Sequence, residues 1–414
     1  MKLENVWMLL PGREVAFGEI ETEGAWISAV RRASPVPGAK RLVMPGLVNC
    51  HGHTAMTLVR GLGGGLPLHR WLEEAIFPVE AKMTPRDVRA GAVWGIAEML
   101  SGGTTCVADM YDFPGETEAA LAGCGMRGCV CRVGLSFVPG RLEDCVEFTL
   151  APSGSSLVRR DICIHSEYLT DERFCRALAR ANADGPRRPL HVHVSETRKE
   201  HEECIGRHGM TPIAYLESTG LLDYGGYAAH CVFCTDDDFR IMARRGVSLV
   251  HNPTSNMKLG SGFARVARAR ELGVNVALGT DGCASNDNLD MFEEMHIASL
   301  IHKGLANDPT ALPSWDVIEM ATCNGAKALG MGDIGEIAVG KRADFCIASL
   351  EGVHLAPCLD IPGLVVNSMH SSDVVATVVE GRTVYDRGAF TSLDITAARS
   401  GLMSAVARLG LASV

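Results

Sequence analysis

An apolar run, Leu42-Val-Met-Pro-Gly-Leu-Val-Asn-Cys, ends in His51-Gly-His53. In a strand, residues i and i+2 point to the same face, so both imidazoles can reach one point from one strand end. Neutral imidazoles gathered on one face suit Zn²⁺ or a similar borderline metal. A second apolar run ends His191-Val-His193-Val-Ser-Glu196. His191 and His193 share a face at different depths. His193 stands nearer the strand end and is the expected third ligand. Glu196 follows three residues later, placed to reach over the metal without ligating it. Later, Leu278-Gly-Thr-Asp281-Gly282 puts a carboxylate between a buried strand and a glycine. Burying that charge is costly unless it is paired or holds a cation. Asp281 is therefore the expected fourth ligand and a candidate base. Three histidines and one aspartate leave room for a water whose pKa falls toward ~7 on Zn²⁺.

Positioning these groups takes a repeating frame. From about residue 49 to 330, apolar runs alternate with helical periodicity. The runs are the His51 strand, Thr105–Asp109, Gly128–Arg132, Ile162–His165, Leu190–Val194, Tyr227–His230, Val247–His251 and Val274–Asp281. Continuous apolar strands separated by helices imply a parallel sheet covered on both faces. Eight such strands predict an α/β fold, a closed (β/α)₈ TIM barrel, with its chemistry at the carboxyl ends of the strands. The first 48 residues read as short strands and turns that cannot fold alone. Asp344–Ser349, Val374–Val379 and Thr383–Tyr385 offer matching strands, with Gly381-Arg382 as a hairpin turn. The expected organisation is a small β-sandwich domain of residues 1–48 plus 335–414 and a barrel over 49–334. An amphipathic helix over about 394–410 should pack on the outside.

The chain has 414 residues and a formal net charge of −10, with no basic block, which argues against a nucleic-acid partner. No apolar run reaches the ~20 residues of a membrane span, and the N-terminus lacks a secretory signature. Fifteen cysteines lie scattered in apolar runs without framework spacing, and Cys231-Val-Phe-Cys234 has no second pair. Buried reduced thiols in a cytoplasmic protein are expected. Two-metal barrel hydrolases commonly bridge their ions with a carboxylated lysine on the fourth strand. No lysine occurs between Lys82 and Lys199 here, which favours one ion.

The ordered set His51-Gly-His53, His193, Glu196, His230 and Thr280-Asp281-Gly282 resembles the amidohydrolase superfamily. Finer stretches narrow the resemblance. They are Met44-Pro-Gly-Leu-Val-Asn, Met56-Thr-Leu-Val-Arg-Gly61, Leu66-Pro-Leu-His-Arg-Trp71, Pro78-Val-Glu80, His251-Asn-Pro-Thr-Ser-Asn256 and Asp281-Gly-Cys-Ala-Ser-Asn286. These look like the branch of S-adenosylhomocysteine and 5′-methylthioadenosine deaminases. Guanine deaminase and the triazine hydrolases are its relatives. The resemblance implies that Glu80 binds ribose hydroxyls and that Arg132 and Arg141 hold a homocysteine carboxylate, a task suited to bidentate guanidinium. It implies that His165 touches substrate, and Trp71 is a candidate for packing on the purine. Where the family usually has His-x-Pro-Tyr, this chain reads His165-Ser-Glu167-Tyr168.

The activity so implied is hydrolytic deamination of a purine nucleoside: the C6 amino group plus water gives the C6 carbonyl plus ammonia. Asp281 would take the water proton, Glu196 would deliver one to ring N1 and also contact the substrate, and His230 would hydrogen-bond the attacking water. Asn256 and Ser285 are weaker candidates, the first for ordering a loop and the second for supporting Asp281. One divalent ion is expected, Zn²⁺ ahead of Fe²⁺ or Mn²⁺. The expected partner is a small purine nucleoside, with no membrane partner, in a family that often forms homo-oligomers. The runner-up substrates are guanine, a pterin, a modified purine base or a triazine.

Overall fold

A computed structural model describes residues 1–411. Its central sheet runs in chain order through Leu47–His53, Thr104–Tyr111, Arg127–Arg132, Val158–Cys163, Leu190–Val194, Gly226–His230, Val247–His251 and Val276–Leu278. Adjacent strands are parallel throughout. Nearly every residue in these strands is buried, because helices cover the outside and side chains fill the inside. That double burial is why the strands read as unbroken apolar runs in the sequence.

The eighth strand closes the barrel. Val276–Leu278 pairs with Val247–His251, and after two residues Asp281–Gly282 pairs with Leu47–His53. Closure requires Gly279. A Cβ there would lie 2.8 Å from the His51 backbone nitrogen and 2.9 Å from its carbonyl oxygen, closer than real side chains approach. At position 279 the first and last strands can therefore pass this closely only because the residue is glycine.

A separate eight-stranded sheet is shared by the two chain ends, with Lys2–Leu10, Glu14–Glu23, Trp26–Arg32 and Arg41–Pro45 from one end. Phe345–Ser349, Val374–Val379, Arg382–Asp386 and Ala389–Phe390 come from the other. Arg41–Pro45 is the seam, parallel to Lys2–Leu10 on one side and antiparallel to Phe345–Ser349 on the other. Its core gathers Val6, Met8, Ile20, Val43, Phe345 and Val378. The late hairpin turns on Glu380-Gly381, one residue earlier than expected. Both take left-handed conformations (φ 52° and 72°), and Val379 pairs with Arg382 across the turn, as a two-residue type I′ turn demands.

Helix ends follow local rules. Thr84 and Asp87 form a capping box at the start of Pro85–Ser101, and Thr235 and Asp238 form another before Asp236–Arg245. The last helix, Ile395–Arg408, lays Leu402, Ala405 and Val406 against a cluster containing Met56 and Val88. Thirteen of the fifteen cysteines are buried and all are free thiols. Among the described residues no helix is long and apolar enough to cross a membrane.

Candidate active site

The carboxyl ends of the barrel strands bring the singled-out groups together. His51 Nε2 and His53 Nε2 lie 3.2 and 3.1 Å from Asp281 Oδ1. His193 Nε2 is 3.3 Å from His53 Nε2. Potential ligand atoms of His51, His193, His230 and Asp281 all fall within 4.8 Å of one another. Backbone strain gathers at the same place: His230 and Asp281 hold left-handed conformations at φ 71° and 61°, and Ser195 at 48°. Such conformations in non-glycine residues are held in place by surrounding contacts.

The outer faces of the rings decide what their inner faces can do. His53 Nδ1 donates to the Met110 carbonyl, and His193 Nδ1 donates to the His165 carbonyl at 2.8 Å. His230 Nδ1 meets Asn256 Oδ1 at 2.8 Å. A carbonyl oxygen only accepts, so each Nδ1 carries a hydrogen and each ring turns its Nε2 inward. His51 Nδ1 is backed by His191 Nε2 at 2.8 Å, one layer deeper in the barrel. His51 Nε2 is buried without a hydrogen-bond partner. Inward-facing ring nitrogens gathered round a carboxylate form a cradle for a cation.

Charge says the same. Burial opposes ionisation of Asp281, yet the His51 and His53 rings hold its carboxyl well below the usual range. Burial also opposes a proton on His53, but Asp281 raises that ring to about 9, while burial takes His51 down to about 4. Positive charge at this point is satisfied by a proton or, better, by a divalent ion shared among all the rings. Asp281 Oδ2 is turned away from the histidines and accepts from Ser255 Oγ at 2.6 Å and Ser285 Oγ at 2.7 Å.

Glu196 lies beside this group, its Oε2 3.8 Å from His230 Nε2 and its Oε1 3.4 Å from Ser261 Oγ. Burial pushes its carboxyl above the usual range, so it holds a proton more readily than a solvated glutamate. Its backbone is fixed by Glu200, whose two carboxylate oxygens accept from Ser195 N and Glu196 N, both at 2.8 Å. Burial and then the Glu196 charge push Glu200 up to about 7.

One cavity opens over these groups, reaching His53, His193, Glu196, His230 and Asp281 at its floor. Glu80, Trp71 and His165 line it too. Glu80 Oε1 accepts from the Tyr111 hydroxyl at 2.6 Å, and Trp71 Nε1 is spent on the Leu62 carbonyl at 3.0 Å. His165 packs on His193 with ring centroids 4.5 Å apart, and burial takes it down to about 3, so the ring is neutral. The acid in place of the family proline stays out of the cavity. Buried Glu167 binds Arg207 at 2.6 Å and His208 at 2.8 Å, tying the loop to helix Arg198–His208, while Tyr168 still faces the cavity.

Arg132 and Arg141, expected to hold a ligand carboxylate, are engaged by an acid of this chain. Neither lines the cavity, and both guanidinium groups are turned onto Asp112 Oδ1, at 3.2 and 2.7 Å. Asp112 itself does line the cavity. It follows directly on Tyr111 at the end of the second barrel strand, where a charged residue is the only sequence signal it gives. Ser255 and Glu200 were equally silent, one inside a Pro-Thr-Ser-Asn stretch and one on a charged helix face.

Comparisons with known proteins give the family. The sequence model of the amidohydrolase family matches residues 42–384. A 5-methylthioadenosine/S-adenosylhomocysteine deaminase of Acetivibrio thermocellus is 44% identical over 360 residues, covering 86% of this chain and 83% of that protein. A 5'-deoxyadenosine deaminase of Methanosarcina barkeri is 42% identical over 362 residues, covering 85% and 83%. The crystal structure of an adenosine deaminase from Xanthomonas campestris, with bound zinc, superposes with a TM-score of 0.90 at 31% identity over 98% of each chain. This chain belongs to the amidohydrolase family.

Proposed function

We propose that this protein is a metal-dependent hydrolytic deaminase that converts the 6-amino group of an adenosine derivative into the inosine derivative and ammonia. The observation that carries the reading is the cavity floor, where inward-facing imidazole nitrogens and Asp281 Oδ1 meet beside the buried Glu196. The names of the similar Acetivibrio and Methanosarcina deaminases support the adenosine class. One divalent ion, Zn²⁺ first, would be held by His51, His53, His193 and Asp281, a donor set of nitrogen and carboxylate suited to it. When bound, that ion supplies Lewis-acid activation of the attacking water.

The chain's own groups do the rest. Asp281, ionised beside His51 and His53, accepts a proton from the attacking water. His230 has its Nδ1 committed to Asn256, so its Nε2 lone pair accepts a hydrogen bond from that water and orients it toward C6. Glu196, whose carboxyl burial pushes above the usual range, delivers a proton to ring N1, so that C6 becomes tetrahedral without building an anion on the purine. Proton return to the departing amine completes the exchange of C6–NH₂ plus H₂O for C6=O plus NH₃. Glu80 accepts ribose hydroxyls with the oxygen not taken by Tyr111. Trp71 and His165 wall the base.

The test is zinc-replete protein with 5′-deoxyadenosine, 5′-methylthioadenosine and S-adenosylhomocysteine, followed by the shift of the adenine absorbance band to that of the inosine product. No shift with any adenosine, alongside turnover of guanine or a triazine, would overturn the substrate class.

A further inference from the structure

We propose that Asp112 sets the specificity for the 5′ substituent, so that the enzyme takes adenosines with short apolar tails and turns away those carrying a carboxylate. This rests on the deaminase reading above. Two arginines stand behind the cavity wall, Arg132 at the end of the third barrel strand and Arg141 at the start of helix Arg141–Leu150, and both are engaged by carboxylates. Arg141 Nη1 donates to Asp112 Oδ1 at 2.7 Å and to the Val133 carbonyl at 3.0 Å. Arg132 gives one nitrogen to Asp112 at 3.2 Å and another to Asp144 at 3.3 Å. Two guanidinium groups thus face two carboxylates, and the local charge cancels.

Of the four, only Asp112 lines the cavity. What an incoming tail meets is therefore the carboxylate, with the cations behind it. A tail carboxylate would face a like charge and would have to displace Asp112 from both arginines. Arg141 Nε is buried without a partner, but it lies outside the cavity wall and offers the tail nothing.

The rest of the lining points the same way. Leu68, Leu72, Phe77, Phe113, Val133 and Phe137 share the cavity with the metal-facing histidines. Phe77, Phe113 and Phe137 are exposed to 42%, 37% and 68%, large apolar faces left open at a cavity wall. Exposed aromatic surface of that kind is stabilised by covering it with an apolar group. A methylthio or methyl substituent provides that cover without adding charge. Phe113 is adjacent to Asp112 and sits in a left-handed conformation at φ 52°, ahead of helix Pro114–Cys124. That fixed turn holds the carboxylate and the aromatic ring side by side.

The experiment compares kcat/KM for 5′-methylthioadenosine with that for 5′-S-(2-carboxyethyl)-5′-thioadenosine, in the zinc-loaded wild type and in Asp112→Asn. The wild type is expected to favour the methylthio compound at least ~10-fold, and D112N is expected to narrow that ratio at least ~10-fold. Wild-type turnover of the carboxyethyl compound equal to or faster than the methylthio compound would overturn the inference and leave the deaminase reading standing. The same holds if D112N leaves the ratio unchanged. No turnover of either compound would overturn both. Because the wild-type ratio is itself decisive, the inference stays exposed to refutation even if D112N misfolds.

Discussion

Ser255 and Ser285 offer a direct measure of how far the site depends on the groups that orient Asp281. Both hydroxyls donate to Asp281 Oδ2, at 2.6 and 2.7 Å, while Oδ1 faces His51 and His53. They therefore decide which oxygen would be offered to a bound metal and hold the carboxylate plane in place. A hydrogen bond to a charged group contributes about 1.5–3 kcal/mol, or roughly 10- to 150-fold in an equilibrium or rate constant. One serine is enough to keep the carboxylate from rotating, so Ser255→Ala or Ser285→Ala alone should cost about 10-fold, near the low end of that range. Removing both also releases the rotation, so the double variant should fall below the product of the two, by more than ~10²-fold, as expected for two groups sharing one acceptor. The readouts are the zinc dissociation constant, by competition with a chelating dye, and kcat/KM on 5′-methylthioadenosine. Thermal melts would check that the fold is intact. A folded double variant within about threefold of wild type in both would refute the assignment of Asp281 Oδ1 as a ligand oriented by these hydroxyls.

Glu196→Gln should retain zinc at wild-type stoichiometry and lose ~10²–10⁴ in kcat, the span of a general acid–base group; near-normal kcat would remove its proton-transfer role. Glu200→Gln presents an amide NH₂ to one of the two backbone N–H groups it now accepts, so the Glu196 loop should loosen. We expect kcat to fall by at least ~10-fold with little change in KM, since a ~1 Å misplacement can cost 10²-fold, and an equal rise in KM would mark a merely structural role. Burial pushes Glu294 up to about 8, whereas in the unfolded chain it titrates at about 4.3. The folded protein therefore binds the extra proton between those values, so this group's contribution to stability falls as pH rises from about 4.5 to about 8 and is level above. Glu294→Gln should flatten that segment of a melting-temperature profile, and an unchanged slope would count against the assignment. Exhaustive chelation should abolish turnover, and added Zn²⁺ should restore it, with Fe²⁺ and Mn²⁺ as comparison arms.

What the sequence disclosed and what it hid divide along one physical line. The barrel strands were legible because burial on both faces turns each into an apolar run, and a polar residue at its end marks the catalytic rim. The spacing of His51 and His53 was legible because strand parity alone puts both on one face. Ser285 could be read as support for Asp281 since it lies four residues downstream on a short helix, and its hydroxyl donates there. Ser255 could not, because it reaches Asp281 from the short helix Pro253–Lys258 after the seventh strand, a contact between neighbouring strand ends that sequence spacing does not show. Arg132 and Arg141 looked available for the same reason. Their partner Asp112 belongs to the loop after the neighbouring strand, and no periodicity links the two. The late hairpin was displaced by one residue because Glu380, an unfavoured residue at positive φ, takes a position that turn chemistry would assign to glycine or asparagine.

The seam strand Arg41–Pro45 has a consequence for how this protein is made. Its outer hydrogen-bonding edge pairs with Phe345–Ser349, which leaves the ribosome about 300 residues later. At 5–20 residues per second, that edge waits about 15–60 s for its partner. During synthesis the nascent chain therefore carries an unpaired strand edge, the kind that templates aggregation. Chains halted before Phe345 should partition into the pellet or remain chaperone-bound, and a soluble, monomeric fragment of residues 1–340 would contradict this.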